Sequence, residues 1–189
     1  MKIKDPLILT NLFSTDKYLK LRNHLFNIDK SEISFDMSMG RYTFNDPLIN
    51  DYHQEIVDLA REIFDSPTLI PSYALFSHYE TRRANLFMHK DDNACTYTID
   101  MCVYQTEPWD LIVDGKPYTL FENQALAYYG NDQEHGRPKF PNPETQKVAM
   151  IFFHFVEPDH WWNTKGQSYV RVVRGNMSEE DWLKENANK

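Results

Sequence analysis

The feature that most constrains this chain is a change of hydrophobic period near Ser72. Before it, apolar residues recur at helical spacing. After it come short runs rich in aromatic and β-branched residues, broken by turn residues. The runs are SYALFSHYE (72–80), TYTIDMCVYQ (96–105), WDLIVDG (109–115), KPYTLF (116–121), ALAYYG (125–130), KVAMIFFHFV (147–156) and SYVRVVR (168–174). Strands this short are stable only when paired and when one face is covered, so the pattern predicts a rolled or sandwiched sheet. Asp114-Gly115, between two runs, is a hairpin signal.

Ahead of the strands, Ser14 to Asn27 reads as a helix with a Ser/Thr cap, and Pro47 to Phe64 as a second helix stopped by Pro67. MSEEDWLKENANK places Ser178 and Asp181 at capping-box spacing and predicts a last helix over 178–189. The expected architecture is therefore one domain over 1–189 of the mainly β, α+β class. It has a helical part over 1–70 packed outside a sandwich or barrel over 72–175.

The 189 residues can bury a core without staples, and Cys95 and Cys102, seven apart, would face opposite sides of one strand. A disulfide framework is not expected, and a reducing, cytoplasmic setting is. The net charge of −8 argues against nucleic acid as a main partner, and no apolar run suggests a membrane span.

Chemistry has to be sought among seven histidines. Three stand two before an acid: His53-x-Glu55, His78-x-Glu80 and His89-x-Asp91. On a helix, residues two apart diverge by roughly 200°, which removes His53 and Glu55. On a strand they share a face, so the other pairs survive, and Asp92 must point away from His89. His135, between two strand-like runs, is the best third ligand. Two histidines and a carboxylate leave one side of a metal open, and no HExxH pattern is present. Ordinary turn histidines remain the competing reading of these residues.

The order His89-x-Asp91, His135, then Lys147 heading an apolar strand resembles the Fe(II)- and 2-oxoglutarate-dependent oxygenases, most of all the prolyl-4-hydroxylase-like branch. The similarity spans roughly 72–157. Tyr79 stands ten positions before His89, and Tyr104 five before Trp109, as cosubstrate-holding tyrosines do in that branch. The resemblance implies a double-stranded β-helix, or jelly roll, with Fe(II) on His89, Asp91 and His135. It further implies 2-oxoglutarate held by Lys147, Tyr104 and Tyr79, O2 as co-reactant, and release of succinate and CO2. Retention of Asp91 favours hydroxylation over halogenation.

The chain departs from the branch pattern in two places. ETRRANLFM replaces the usual glycines and second tyrosine before the metal histidine, so the substrate, a small molecule or a peptide, need not be a peptidyl proline. Lys147 lies twelve past His135, further than usual, which makes Arg137 the alternative carboxylate partner or a substrate contact. Alternation places Asp100, Cys102 and Tyr104 on one face of their strand, and Lys147, Ala149, Ile151 and Phe153 on one face of theirs. A lysine in such a row needs an anion. An inward Asp100 suggests a cationic or hydrogen-bond-donating substrate. His154 reads as a structural histidine, Trp161-Trp162 as packing, and Arg82-Arg83 as a candidate lid. A cupin-like metal enzyme that does not use 2-oxoglutarate and a non-catalytic jelly-roll binding module are the alternatives.

Overall fold

The computed structural model describes residues 5–28, 34–36, 41–44, 46–80 and 84–160. Arg82, Arg83, Trp161, Trp162, the SYVRVVR run and the helix expected over 178–189 lie outside them. Three helices and eleven strands are formed among the described residues. In chain order they are β1 (Leu7–Leu9), α1 (Thr15–Phe26), β2 (Ser34–Asp36), β3 (Arg41–Phe44), α2 (Pro47–Glu55), α3 (Val57–Ile63), β4 (Ile70–Tyr79), β5 (Leu86–His89), β6 (Tyr97–Gln105), β7 (Leu111–Val113), β8 (Lys116–Tyr118), β9 (Ala125–Tyr128), β10 (His135–Arg137) and β11 (Val148–Val156).

The strands form two antiparallel sheets, ordered β1-β9-β6-β11-β4-β3-β2 and β5-β10-β7-β8. Strands β4 to β11 alternate between four-stranded halves, β9-β6-β11-β4 facing β5-β10-β7-β8, which is a double-stranded β-helix. Asp114 and Gly115 both have positive φ, 48° and 76°, the primed turn that the β7–β8 hairpin requires.

Two apolar layers result. Between the sheets lie Tyr79, Leu86, Cys102, Trp109, Leu111, Leu126, Tyr128, Val148, Met150 and Phe152. The other face of the larger sheet carries Ile99, Met101, Val103, Ala149, Ile151 and Phe153, covered by Leu21, Leu25, Ile49 and Ala60 of the helices. Asp46 caps α2, its Oδ1 accepting from the Leu48 amide at 2.7 Å, whereas the Ser14 side chain makes no capping bond to α1. The second expected helix is broken at Ile56 into α2 and α3. The first third also contributes β1, β2 and β3, which extend the larger sheet at both ends. These strands have three or four residues, too few to show a period of two against a helical background.

Both faces of β11 are buried along all nine residues. Parity therefore separates its rows without telling which one faces the barrel interior. The row headed by Lys147 faces the helices, and the interior row is Val148, Met150, Phe152 and His154. On β6, a bulge adds Val103 between the pairs Met150–Cys102 and Ala149–Tyr104. An extra residue shifts every later side chain by one face. Asp100 and Cys102 thus face inward as expected, but Tyr104 turns out to the helix layer. There its ring meets Phe26 at 5.5 Å and the Arg22 guanidinium at 5.2 Å.

Candidate metal centre

Strands β5 and β10 are antiparallel neighbours, and their register sets His135 directly opposite His89. The imidazole centroids are 4.4 Å apart. Asp91, just past the end of β5, is held by its amide donating to the Gly130 carbonyl at 2.9 Å. It offers one carboxylate oxygen to each ring: Oδ1 lies 3.3 Å from His89 Nε2, and Oδ2 3.5 Å from His135 Nε2. The potential ligand atoms of the three residues lie within 4.8 Å of one another.

The protonation of the rings follows from their other nitrogens. His89 Nδ1 sits 2.7 Å from the Phe87 carbonyl oxygen, and His135 Nδ1 2.9 Å from that of Gln133. A carbonyl can only accept, so each Nδ1 carries the hydrogen, and in a neutral ring each Nε2 presents a lone pair. Two lone pairs then face two carboxylate oxygens. At 3.3 and 3.5 Å these acceptors stand just outside contact, an arrangement that protons on Nε2 or one cation shared by all three groups would stabilise. A carbonyl bond on the distal nitrogen is also how metal-bound histidines are commonly oriented. The residues fit a divalent metal with an open side.

Electrostatics point the same way. Burial pushes against ionisation of Asp91, yet the His135 and His89 imidazoles beside it outweigh burial and hold the carboxyl well below the usual range. A second set, Asp91, Cys95 and His154, is also compact. Cys95 is a poor ligand there: burial pushes its thiol well up, and Sγ lies 3.0 Å from the Tyr73 hydroxyl.

Two glycines make the arrangement possible. A β-carbon on Gly130 would lie 2.5 Å from the Cys95 carbonyl and 2.6 Å from Asp91 Oδ2. One on Gly136 would meet the Leu86 carbonyl at 2.7 Å and the Met88 amide at 2.9 Å, forcing β10 off β5. Neither glycine was singled out from the sequence, although both stand beside predicted site residues.

The triad opens on a cavity of about 240 Å³, lined among others by Arg41, Asp92, Asp100, Tyr128, Phe152 and His154. Of the residues expected to hold a cosubstrate, Tyr79 and Arg137 lie in the layer between the sheets. Tyr79 is fully buried against Trp109, and its hydroxyl accepts from Arg41 Nη1 at 3.1 Å. Arg137 follows His135 by two on β10, is 5% exposed, and lies over the Trp109 ring at 5.1 Å. It donates to the Trp109 carbonyl, and its buried Nε has no partner. Lys147 and Tyr104 are elsewhere. The Lys147 side chain is 53% exposed, with Nζ 3.6 Å from Glu80 on the outer side. The rival pair is on that side too, with His78 3.9 Å from Glu80. Of the last His-x-acid pair, His53 is buried against Phe153 and Phe155, and Glu55 pairs with Lys17.

Sequence reasoning missed Arg41, on a strand it did not foresee, and read His154 as structural without placing it at the cavity. The His154 side chain lies in the cavity wall, with Nδ1 3.1 Å from Thr98 Oγ1.

No protein-family model and no curated protein sequence matches the chain. Solved structures do. HygX from Streptomyces hygroscopicus, with nickel, 2-oxoglutarate and hygromycin B bound, aligns at TM-score 0.64 and 9% identity, over 82% of this chain and 83% of its own. A Pseudomonas putida prolyl-4-hydroxylase aligns at 0.62 and 12%, over 79% and 91%. The non-haem α-ketoglutarate-dependent epimerase SnoN from nogalamycin biosynthesis aligns at 0.60 and 11%, over 80% and 77%. The shared feature is the fold. The chain is a double-stranded β-helix of the kind these 2-oxoglutarate-dependent enzymes have. A hydroxylase and an epimerase on one scaffold show that the fold does not choose the reaction.

Proposed function

We propose that the protein is an Fe(II)- and 2-oxoglutarate-dependent dioxygenase that hydroxylates a small-molecule or peptidyl substrate. The observation that carries this reading is the pair of carbonyl-anchored imidazoles whose Nε2 atoms converge on opposite oxygens of Asp91. His89, Asp91 and His135 would hold the iron. The loaded centre supplies the oxidising chemistry, coupling O2 and the conversion of 2-oxoglutarate to succinate and CO2 to oxidation of the substrate.

The chain's own residues bind and orient. Arg137 is the proposed partner of the far cosubstrate carboxylate. It projects from the metal-bearing strand into the inter-sheet layer and has an unpartnered Nε that a carboxylate would satisfy. Tyr79, in the same layer, is the proposed hydroxyl contact. Lys147, paired with Glu80 at the surface, does not support the role that the resemblance gave it. Phe152, Leu75 and Leu86 line the cavity with apolar surface that limits water. The retained Asp91 carboxylate supports hydroxylation.

The test is succinate formation by the purified protein given Fe(II), 2-oxoglutarate and O2. Metal-dependent succinate release that disappears in Asp91→Ala supports the proposal. A protein that binds Mn(II) through the triad but neither binds nor consumes 2-oxoglutarate would instead be a metal enzyme of another kind.

A further inference from the structure

Asp100 is the one carboxyl of the cavity wall placed on the interior face of β6, and it is 2% exposed. Its Oδ2 accepts from the Tyr128 hydroxyl at 2.9 Å, while its buried Oδ1 has no partner. It stands outside the set of ligand atoms that converges at the metal. Arg137 does not bond this oxygen: its donors reach the Trp109 carbonyl and the Met150 sulfur, and its Nε has no partner. A buried carboxylate with an open oxygen is costly unless a donor arrives, and burial, only partly offset by His135 and Arg137, leaves this group raised to about 7.

We infer that the substrate presents a protonated amine to Asp100 Oδ1. This rests on the oxygenase reading of the site. An amide or hydroxyl group would supply the hydrogen bond alone, whereas an ammonium group also supplies the positive charge that keeps a buried Asp100 ionised. The cosubstrate cannot play this part, because it is itself a dianion.

The experiment uses full-length protein loaded with Mn(II) and N-oxalylglycine, a non-reactive 2-oxoglutarate mimic. Calorimetry measures the binding of free L-amino acids and simple primary amines, and of their N-acetylated counterparts. At least one free amine is expected to bind, and its N-acetyl form about tenfold or more weakly, as loss of a charge-assisted hydrogen bond implies. Asp100→Asn should weaken that amine by a similar factor while leaving the affinities for Mn(II) and N-oxalylglycine unchanged. The inference is overturned if no free amine binds, if acetylated forms bind equally well, or if Asp100→Asn weakens N-oxalylglycine instead. Failure of the wild-type protein to bind N-oxalylglycine at all would sink the oxygenase reading, and this inference with it.

Discussion

At the scale of single residues, what matters is the hydrogen on each imidazole Nδ1. With those hydrogens committed to the Phe87 and Gln133 carbonyls, His89 and His135 are ready to bind metal before any metal arrives. His135→Ala should therefore weaken Mn(II) binding by about a hundredfold or more, read by equilibrium dialysis, while the melting curve of the metal-free protein stays cooperative. Arg137→Ala should raise the apparent KM for 2-oxoglutarate by roughly ten- to a hundredfold with little effect on metal affinity. Lys147→Ala should leave both unchanged, and a large KM effect there would return the cosubstrate role to Lys147. His-x-Asp and the distal histidine were legible in the sequence, because strand geometry links residues two apart and turns leave ligands at strand ends. Which basic residue would meet the cosubstrate carboxylate was not. Choosing between Lys147 and Arg137 needs to know which face of β11 is the interior, and a strand apolar on both faces hides that.

At the scale of elements, the site depends on close approach between backbones. Gly130 allows Asp91 to sit against the β9 end, and any side chain there strikes the Cys95 carbonyl and Asp91 itself. Gly130→Ala should abolish tight Mn(II) binding even if the protein folds, since the displaced atom is a proposed ligand. Unchanged affinity in that variant would show that Asp91 is not held where this geometry places it. Strands β4, β6, β7, β8, β9 and β11 could be anticipated from short β-rich runs and an Asp-Gly turn, whereas β5 and β10, of four and three residues, fell outside those runs. The bulge at Val103 could not, because one inserted residue leaves local composition untouched while turning Tyr104 to the other face.

Across the whole molecule, the helical layer is tied to the sheet through buried polar groups that respond to pH. His53 of α2 packs against Phe153 and Phe155, and burial lowers it from the ordinary 6.5 to about 3. The folded state therefore keeps His53 neutral while the unfolded chain protonates as the pH falls through 6.5. This stability is present above about pH 6.5 and lost progressively toward pH 3. Replacing His53 with Leu should flatten the fall of Tm between pH 7 and about 4 relative to wild type. An identical slope would show that the helix layer does not sense pH through this residue. Glu157, just past β11, acts in the same direction. Burial opposes its charge, but hydrogen bonds from Ser66, Thr68 and Tyr97 lower it overall, so this link between α3, β6 and β11 weakens as acid protonates it.

The most direct test of the central claim is a crystal structure of the protein with Mn(II) and N-oxalylglycine. The account predicts one metal ion about 2 Å from His89 Nε2, an Asp91 carboxylate oxygen and His135 Nε2, with the mimic's far carboxylate on Arg137. A metal seated at Cys95 and His154, or a triad that stays closed while the ion binds elsewhere, would contradict it.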